Sequence, residues 1–264
     1  MLTIYFSGTG NTAFVAQAFS KKMGTKCLSI EGNADFIDEI SKHGTIVFCY
    51  PIYGSRVPLI MRKFTAQHMD ALNGKKLIIL VTQAFFSGDG ARVFVDLFPK
   101  NHIEVVYADH ISMPNNICNF SLFRRANKKR VGKQVKKAET QIERICSDIR
   151  RKVVKKRGFN KLSKLLGNFQ GKAWQGDSGN AFANKNSIEF KAMTGVKINT
   201  DCTVCNNCVV RCPMKNLEIN DGAIRHKNNC TMCYRCVNLC PKQAITVFIH
   251  KKPKWQYGGI NVTR

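Results

Sequence analysis

The sequence predicts a doubly wound parallel α/β domain followed by a small α+β domain. Three observations carry that expectation. Apolar, strand-like runs alternate with helical stretches through the first half, a glycine-rich turn follows the first run, and eight of the twelve cysteines crowd into residues 202–240. At 264 residues the chain suits one sizeable domain and a smaller one, and a hydrophobic content of 44% supports a packed core rather than disorder.

The strand-like runs are Leu2–Phe6, Lys26–Ile30, Thr45–Tyr50, Lys76–Thr82 and His102–Ala108. Helical stretches at about 11–23, 35–42, 57–69 and 89–98 separate them, which is βαβ patterning with a five-stranded parallel sheet buried on both faces. A fifth helix is expected over Arg125–Arg157. There Val131, Val135, Ala138, Ile142, Ile145, Ile149 and Val153 recur every three or four residues among Lys and Arg. These elements make up a first domain of residues 1–157. Residues 158–190, rich in Gly, Asn, Ser and Gln from Asn168 to Asn186, read as a linker or long surface loop. A cysteine-rich domain over 191–250 and a basic tail over 251–264 complete the chain.

The first turn, "FSGTGNTA" from Phe6 to Ala13, fits two chemistries. Gly8, Gly10 and Ala13 satisfy the dinucleotide fingerprint, and Glu31 stands about where a ribose-binding carboxylate would. However, Ser7, Thr9 and Thr12 fill the same loop with hydroxyls, which a terminal phosphate monoester rewards more than a pyrophosphate bridge does. The loops after the third and fourth strands favour the monoester. Pro51-Ile52-Tyr53-Gly54 and Phe85-Phe86-Ser87-Gly88-Asp89 offer flat aromatic walls and backbone polar groups suited to an isoalloxazine ring. FMN is therefore the expected ligand. The competing reading of Tyr53, Phe85 and Phe86 is plain core packing at strand ends.

Residues 1–157 resemble a flavodoxin, and Ser7, Thr9, Gly10, Asn11 and Thr12 match the hydroxyl-rich phosphate loop of that family. The resemblance implies strand order 2-1-3-4-5 and bound FMN.

The cysteines supply the most specific motif. "CTVCNNCVVRCP" and "CTMCYRCVNLCP" form an internal repeat at a 28-residue period with seven identities over twelve positions, each C-x2-C-x2-C-x3-C-P. Three thiolates at two-residue gaps converge on one cubane, while the fourth, before proline, serves the other cluster. One 4Fe-4S cluster is expected on Cys202, Cys205, Cys208 and Cys240, and a second on Cys230, Cys233, Cys236 and Cys212. Zinc would not need the third cysteine of either run. Cys27, Cys49, Cys118 and Cys146 lack partners at ligand spacing and read as buried free thiols. Cysteines grouped for metal, and no leader-like or membrane-spanning run, suggest a cytoplasmic protein.

The chain apart from the linker resembles the fused flavodoxin–ferredoxin arrangement called the ferrodoxin family. The expected function is electron transfer between two clusters and FMN. The alternatives are a flavin-dependent reductase of a small acceptor and a redox-sensing nucleic-acid binder. No catalytic triad or carboxylate pair stands out. The net charge of +25 is uneven, with 18 Lys/Arg against 3 Asp/Glu in residues 121–172. Arg124, Arg125, Lys128, Lys129 and Arg130, together with Arg211, Lys215, Arg235 and Lys242, are expected to dock an acidic redox protein of ferredoxin or flavodoxin type. Nucleic acid and a peripheral membrane contact are the weaker readings of the same charge.

Overall fold

The computed structural model describes residues 1–84, 88–120, 126–175 and 185–260. The chain opens with β1 (Leu2–Tyr5), α1 (Asn11–Met23), β2 (Lys26–Ser29), α2 (Phe36–Ser41), β3 (Thr45–Pro51) and α3 (Leu59–Gln67). It continues through β4 (Lys76–Gln83), α4 (Arg92–Val95), β5 (Glu104–Ser112), α5 (Lys128–Arg150) and β6 (Lys155–Lys156). All six strands are parallel, in the order β2-β1-β3-β4-β5-β6. The central strands are mostly apolar because both faces are covered. Phe48, Ile79 and Val81 face a layer containing Phe64 and Phe94, while Val47, Ile78 and Leu80 face Phe19, Ile142 and Ile145.

The sheet has six strands rather than the expected five. The extra strand is a two-residue edge of lysines without an apolar pattern, and it pairs with Tyr107–Ala108. Lys155 Nζ also lies 2.9 Å from Asp109 Oδ2, so an ion pair reinforces the short ladder. Among the stripe residues of α5, Ala138, Ile142 and Ile145 are buried, while Val153 lies beyond the helix and is exposed.

The expected linker is a second departure. Residues 161–175 form a helix, α6 (Lys161–Gln175), that crosses the carboxyl end of the sheet. Next come α7 (Ile188–Thr194), β7 (Val196–Ile198), α8 (Asn207–Val210), β8 (Leu217–Asn220), β9 (Ala223–His226), α9 (Arg235–Leu239) and β10 (Ile245–Val247). β7 pairs antiparallel with β10, and β8 pairs with β9 as a hairpin. The 28-residue repeat is visible in the backbone. Positive φ recurs at Val204 and Met232, Asn206 and Tyr234, and Lys215 and Gln243. For a β-branched residue such as Val204 this conformation is costly, and strain of that kind persists where the surrounding structure enforces it.

The described part of the tail, residues 251–260, packs against both domains. Tyr257 is buried, its hydroxyl donates to Asn11 Oδ1 at 2.6 Å, and Gly259 lies against Thr9. The two domains are also tied by Arg62, whose Nη2 is 2.9 Å from Glu189 Oε1. No helix among the described residues is long and apolar enough to cross a membrane.

Candidate functional site

In a doubly wound sheet a ligand cleft forms where strand order reverses, beyond the carboxyl ends of the strands. Here that point lies between β1 and β3, and the turn after β1 lines a cleft there. Gly10 adopts φ 99° and caps α1, so the unpaired N–H groups of the first helical turn face the loop. Ser7 Oγ accepts from the Gly10 N–H at 3.1 Å, and Thr9 Oγ1 accepts from Asn116 Nδ2 at 3.1 Å. Both hydroxyls act as acceptors in these bonds, which leaves their O–H groups to donate to an anion. Thr12 is buried and bonded to Thr82 through their hydroxyls at 2.7 Å.

Ser7, Thr9, Asn11, Thr12, Pro51, Ile52 and Tyr53 all line this cleft. Gly10 shapes the loop from its other side. The cleft continues into an apolar space of about 610 Å³ walled by Tyr53, Gly54, Phe169, Trp174, Met232, Tyr234 and Phe248. The Tyr53 hydroxyl is buried with no hydrogen-bond partner among the described residues. Burial first, and the nearby Cys233 second, hold its phenol well above the ordinary range. A neutral hydroxyl without a partner is costly in this position, and a polar ligand edge would satisfy it.

Two of the expected ring-loop residues are placed elsewhere. Gly88 packs against Gly167 of α6, and Asp89 is wholly buried beneath that helix, with Arg92 Nη2 2.7 Å from its Oδ2. Phe85, Phe86 and Ser87 lie outside the described residues, as do Arg124 and Arg125. The cleft also has walls that the strand-end pattern did not reveal. These are the segment Met113–Ile117 after β5, Trp174 and Phe169 of α6, and Met232 of the second domain. The Pro114-Asn115-Asn116 cluster directly after a strand was the one local signal for a third loop.

The eight cysteines surround two separate cavities. Cys202, Cys205, Cys208 and Cys240 line one, and Cys212, Cys230, Cys233 and Cys236 line the other. Among the described residues no three His, Cys, Asp or Glu side chains converge tightly enough to hold one metal ion. A ring of thiols around a cavity instead suits a multi-atom cluster. Backbone N–H groups reach the sulfurs at the same repeat interval. The Asn216 N–H lies 3.3 Å from Cys212 Sγ, and the Ala244 N–H lies 3.2 Å from Cys240 Sγ. Donors of this kind stabilise thiolate charge and tune cluster potentials.

The second quartet abuts the first-domain cleft. A Cβ on Gly8 would come 2.6 Å from the Cys233 carbonyl oxygen, so only glycine permits this approach. Arg235, between Cys233 and Cys236, donates to Ser7 O at 2.7 Å and Gly8 O at 2.8 Å. It also grips both carboxylate oxygens of Glu31 at 2.7 Å. The carboxylate that could have served a dinucleotide ribose is thus held by the cysteine domain, and Arg235 faces inward instead of toward a docking partner.

A sheet with a phosphate-type loop, followed by paired cysteine rings, defines a flavin and iron–sulfur electron-transfer protein. Comparison with known families agrees. A flavodoxin domain model matches residues 2–97 and a 4Fe-4S dicluster domain model matches residues 195–248. The chain is thus a flavodoxin domain joined to a ferredoxin-like 4Fe-4S domain. No curated protein matches it. Among solved structures it is similar to two-electron reduced Megasphaera elsdenii flavodoxin, at 18% identity over 53% of this chain and 99% of that one, with a TM-score of 0.37. It is also similar to oxidised flavodoxin 2 from Bacillus cereus, at 18% identity over 54% and 97%, TM-score 0.37. A third likeness is to a flavodoxin from the Archaea, at 14% identity over 55% and 96%, TM-score 0.35.

Proposed function

We propose that the protein carries electrons between two 4Fe-4S clusters and one FMN, for exchange with an acidic redox protein. The carrying observation is that Met232 and Tyr234 of the second cysteine run line the cleft built on the hydroxyl-rich loop, while Cys233 between them packs against Gly8 of that loop. FMN would be held by Ser7, Thr9, Asn11 and Thr12 at its phosphate, with Tyr53 and Trp174 beside the ring space. Bound there, FMN supplies an exchange between one-electron and two-electron chemistry. The Cys212/Cys230/Cys233/Cys236 quartet would hold the cluster nearer the flavin. The quartet containing exposed Cys205 would hold the outer cluster, where a partner can approach.

The chain's own residues fix that arrangement. Arg235 and Asn116 clamp the phosphate loop to the cluster motif, and Met232 and Phe248 keep the intervening space apolar. Arg211, Lys215 and Lys242 are exposed near the cysteine runs, a charge pattern that would steer an acidic partner. In anaerobic stopped-flow mixing with a reduced acidic ferredoxin, flavin bleaching should slow steeply from low to physiological salt, as the Debye length shrinks to about 8 Å. Lys242→Glu should slow it further with iron and flavin content unchanged. A salt-independent rate would contradict the docking reading. Failure of the flavin to bleach at all would contradict the electron path.

One observation favours a second reading. The ring cleft reaches half-exposed Phe120 and exposed Phe169. A small apolar acceptor could enter by that mouth, which would make the protein a flavin-dependent reductase.

A further inference from the structure

Helix α6 is inside out. Successive residues advance about 100° around a helix, so Leu162, Leu165, Leu166 and Phe169 form one stripe and Gly167 and Gly171 lie on the opposite side. In a surface helix the leucines would ordinarily face the core. Here the glycines do. They are buried, and a Cβ on either would collide with Asp89 or Arg56. Those close approaches lock the helix's rotation and leave the apolar stripe in solvent, with Leu162 65%, Leu165 68%, Leu166 41% and Phe169 78% exposed.

The charge carried by the helix and the segment leading into it has one sign. Residues 150–175 contain nine Lys/Arg and no Asp/Glu, and Lys161 and Lys172 flank the stripe along one edge. An exposed run of Leu and Phe on a helix whose only charged side chains are cations matches a helix that lies in the plane of a membrane interface, with its apolar side in the headgroup–acyl boundary and its lysines among anionic lipids. A second copy of this chain fits poorly, because an isologous contact would set this cationic edge against itself. An acidic protein would meet the charge, but it would need its own apolar strip to cover the leucines.

We propose that α6 seats the protein on an anionic bilayer surface. Phe169 belongs both to the stripe and to the ring cleft, so the seated protein turns the mouth of that cleft toward the lipid.

Flotation of the intact, cofactor-loaded protein with two kinds of vesicle tests it: phosphatidylcholine alone, and phosphatidylcholine with a minority of phosphatidylglycerol. Binding is expected to the phosphatidylglycerol vesicles, weakening with salt. It should fall about tenfold or more in Leu162→Ser/Leu165→Ser, two exposed positions outside the cleft. Flavin and iron content and circular dichroism of that variant should match the parent, since neither leucine is buried. No binding to phosphatidylglycerol vesicles, or equal binding by the variant, would overturn the proposal. So would a vesicle-free homodimer that the double substitution dissolves, because the stripe would then be a self-interface.

Discussion

Arg235 is the residue on which the two halves of the site turn. Its guanidinium satisfies two carbonyls of the Ser7–Gly8 turn and the Glu31 carboxylate just after β2; burial opposes its charge, but the Glu31 carboxylate and the neighbouring Cys233 outweigh that and raise its pKa. Arg235→Met would leave Glu31 facing the interface without its partner. Since that pair is mostly but not wholly buried, the expected cost is about 2–3 kcal/mol in anaerobic urea denaturation, with weakened flavin retention. Lys at this position should recover only part of the loss, because an ammonium cannot span three acceptors in a fork. His110 gives a second test. Burial, then the neighbouring Arg157, lowers its pKa from 6.5 to about 4, while Asp109 pulls weakly the other way. The folded state therefore binds fewer protons than the unfolded state between those values, so stability is full above the ordinary value and is lost as pH falls through the window. From about pH 7 to about pH 5 the parent should lose about 2 kcal/mol more than His110→Gln. Equal losses would show that His110 does not titrate in that window.

At the scale of elements, α6 shows how far the sequence could be read. Leu162, Leu165, Leu166 and Phe169 carry helical spacing, but Gly167 and Gly171 interrupt it, and glycine inside a helix ordinarily costs about 1 kcal/mol against alanine. The reason for the glycines lies across the fold, at Asp89 and Arg56, where no local pattern points. Gly167→Ala should therefore destabilise the protein by about 1–3 kcal/mol instead of stabilising the helix, as measured by denaturant midpoint, with faster flavin release. A stabilised variant would mean that α6 can lift from Asp89 without cost. The short β6 was equally illegible, being two lysines placed by a neighbouring strand and an ion pair. α5, by contrast, was legible because a stripe such as Ala138, Ile142 and Ile145 is a local consequence of helical geometry.

For the whole molecule, the cysteine repeat and the hydroxyl-rich turn were readable and the contacts between domains were not. The cysteine spacing at Cys202–Cys212 and Cys230–Cys240 is the pattern a cluster would require, and the hydroxyls from Ser7 to Thr12 are the donors a phosphate would require, so both stand out in one dimension. The hydrogen bonds of Asn116 to Cys233 O at 3.2 Å and of Tyr257 to Asn11 join residues more than a hundred positions apart and leave no periodic trace. The same contacts turn a flavodoxin domain and a 4Fe-4S domain into one site. That union is most directly tested by an anaerobic reductive titration of the purified protein, with iron, sulfide and flavin quantified on the same sample. One FMN and two one-electron clusters predict about eight iron and about four electrons per chain. Flavin and cluster signals should also titrate within one molecule, without added mediator. Zinc without sulfide, a flavin other than FMN, or an uptake of about two electrons with flavin alone reduced would contradict it.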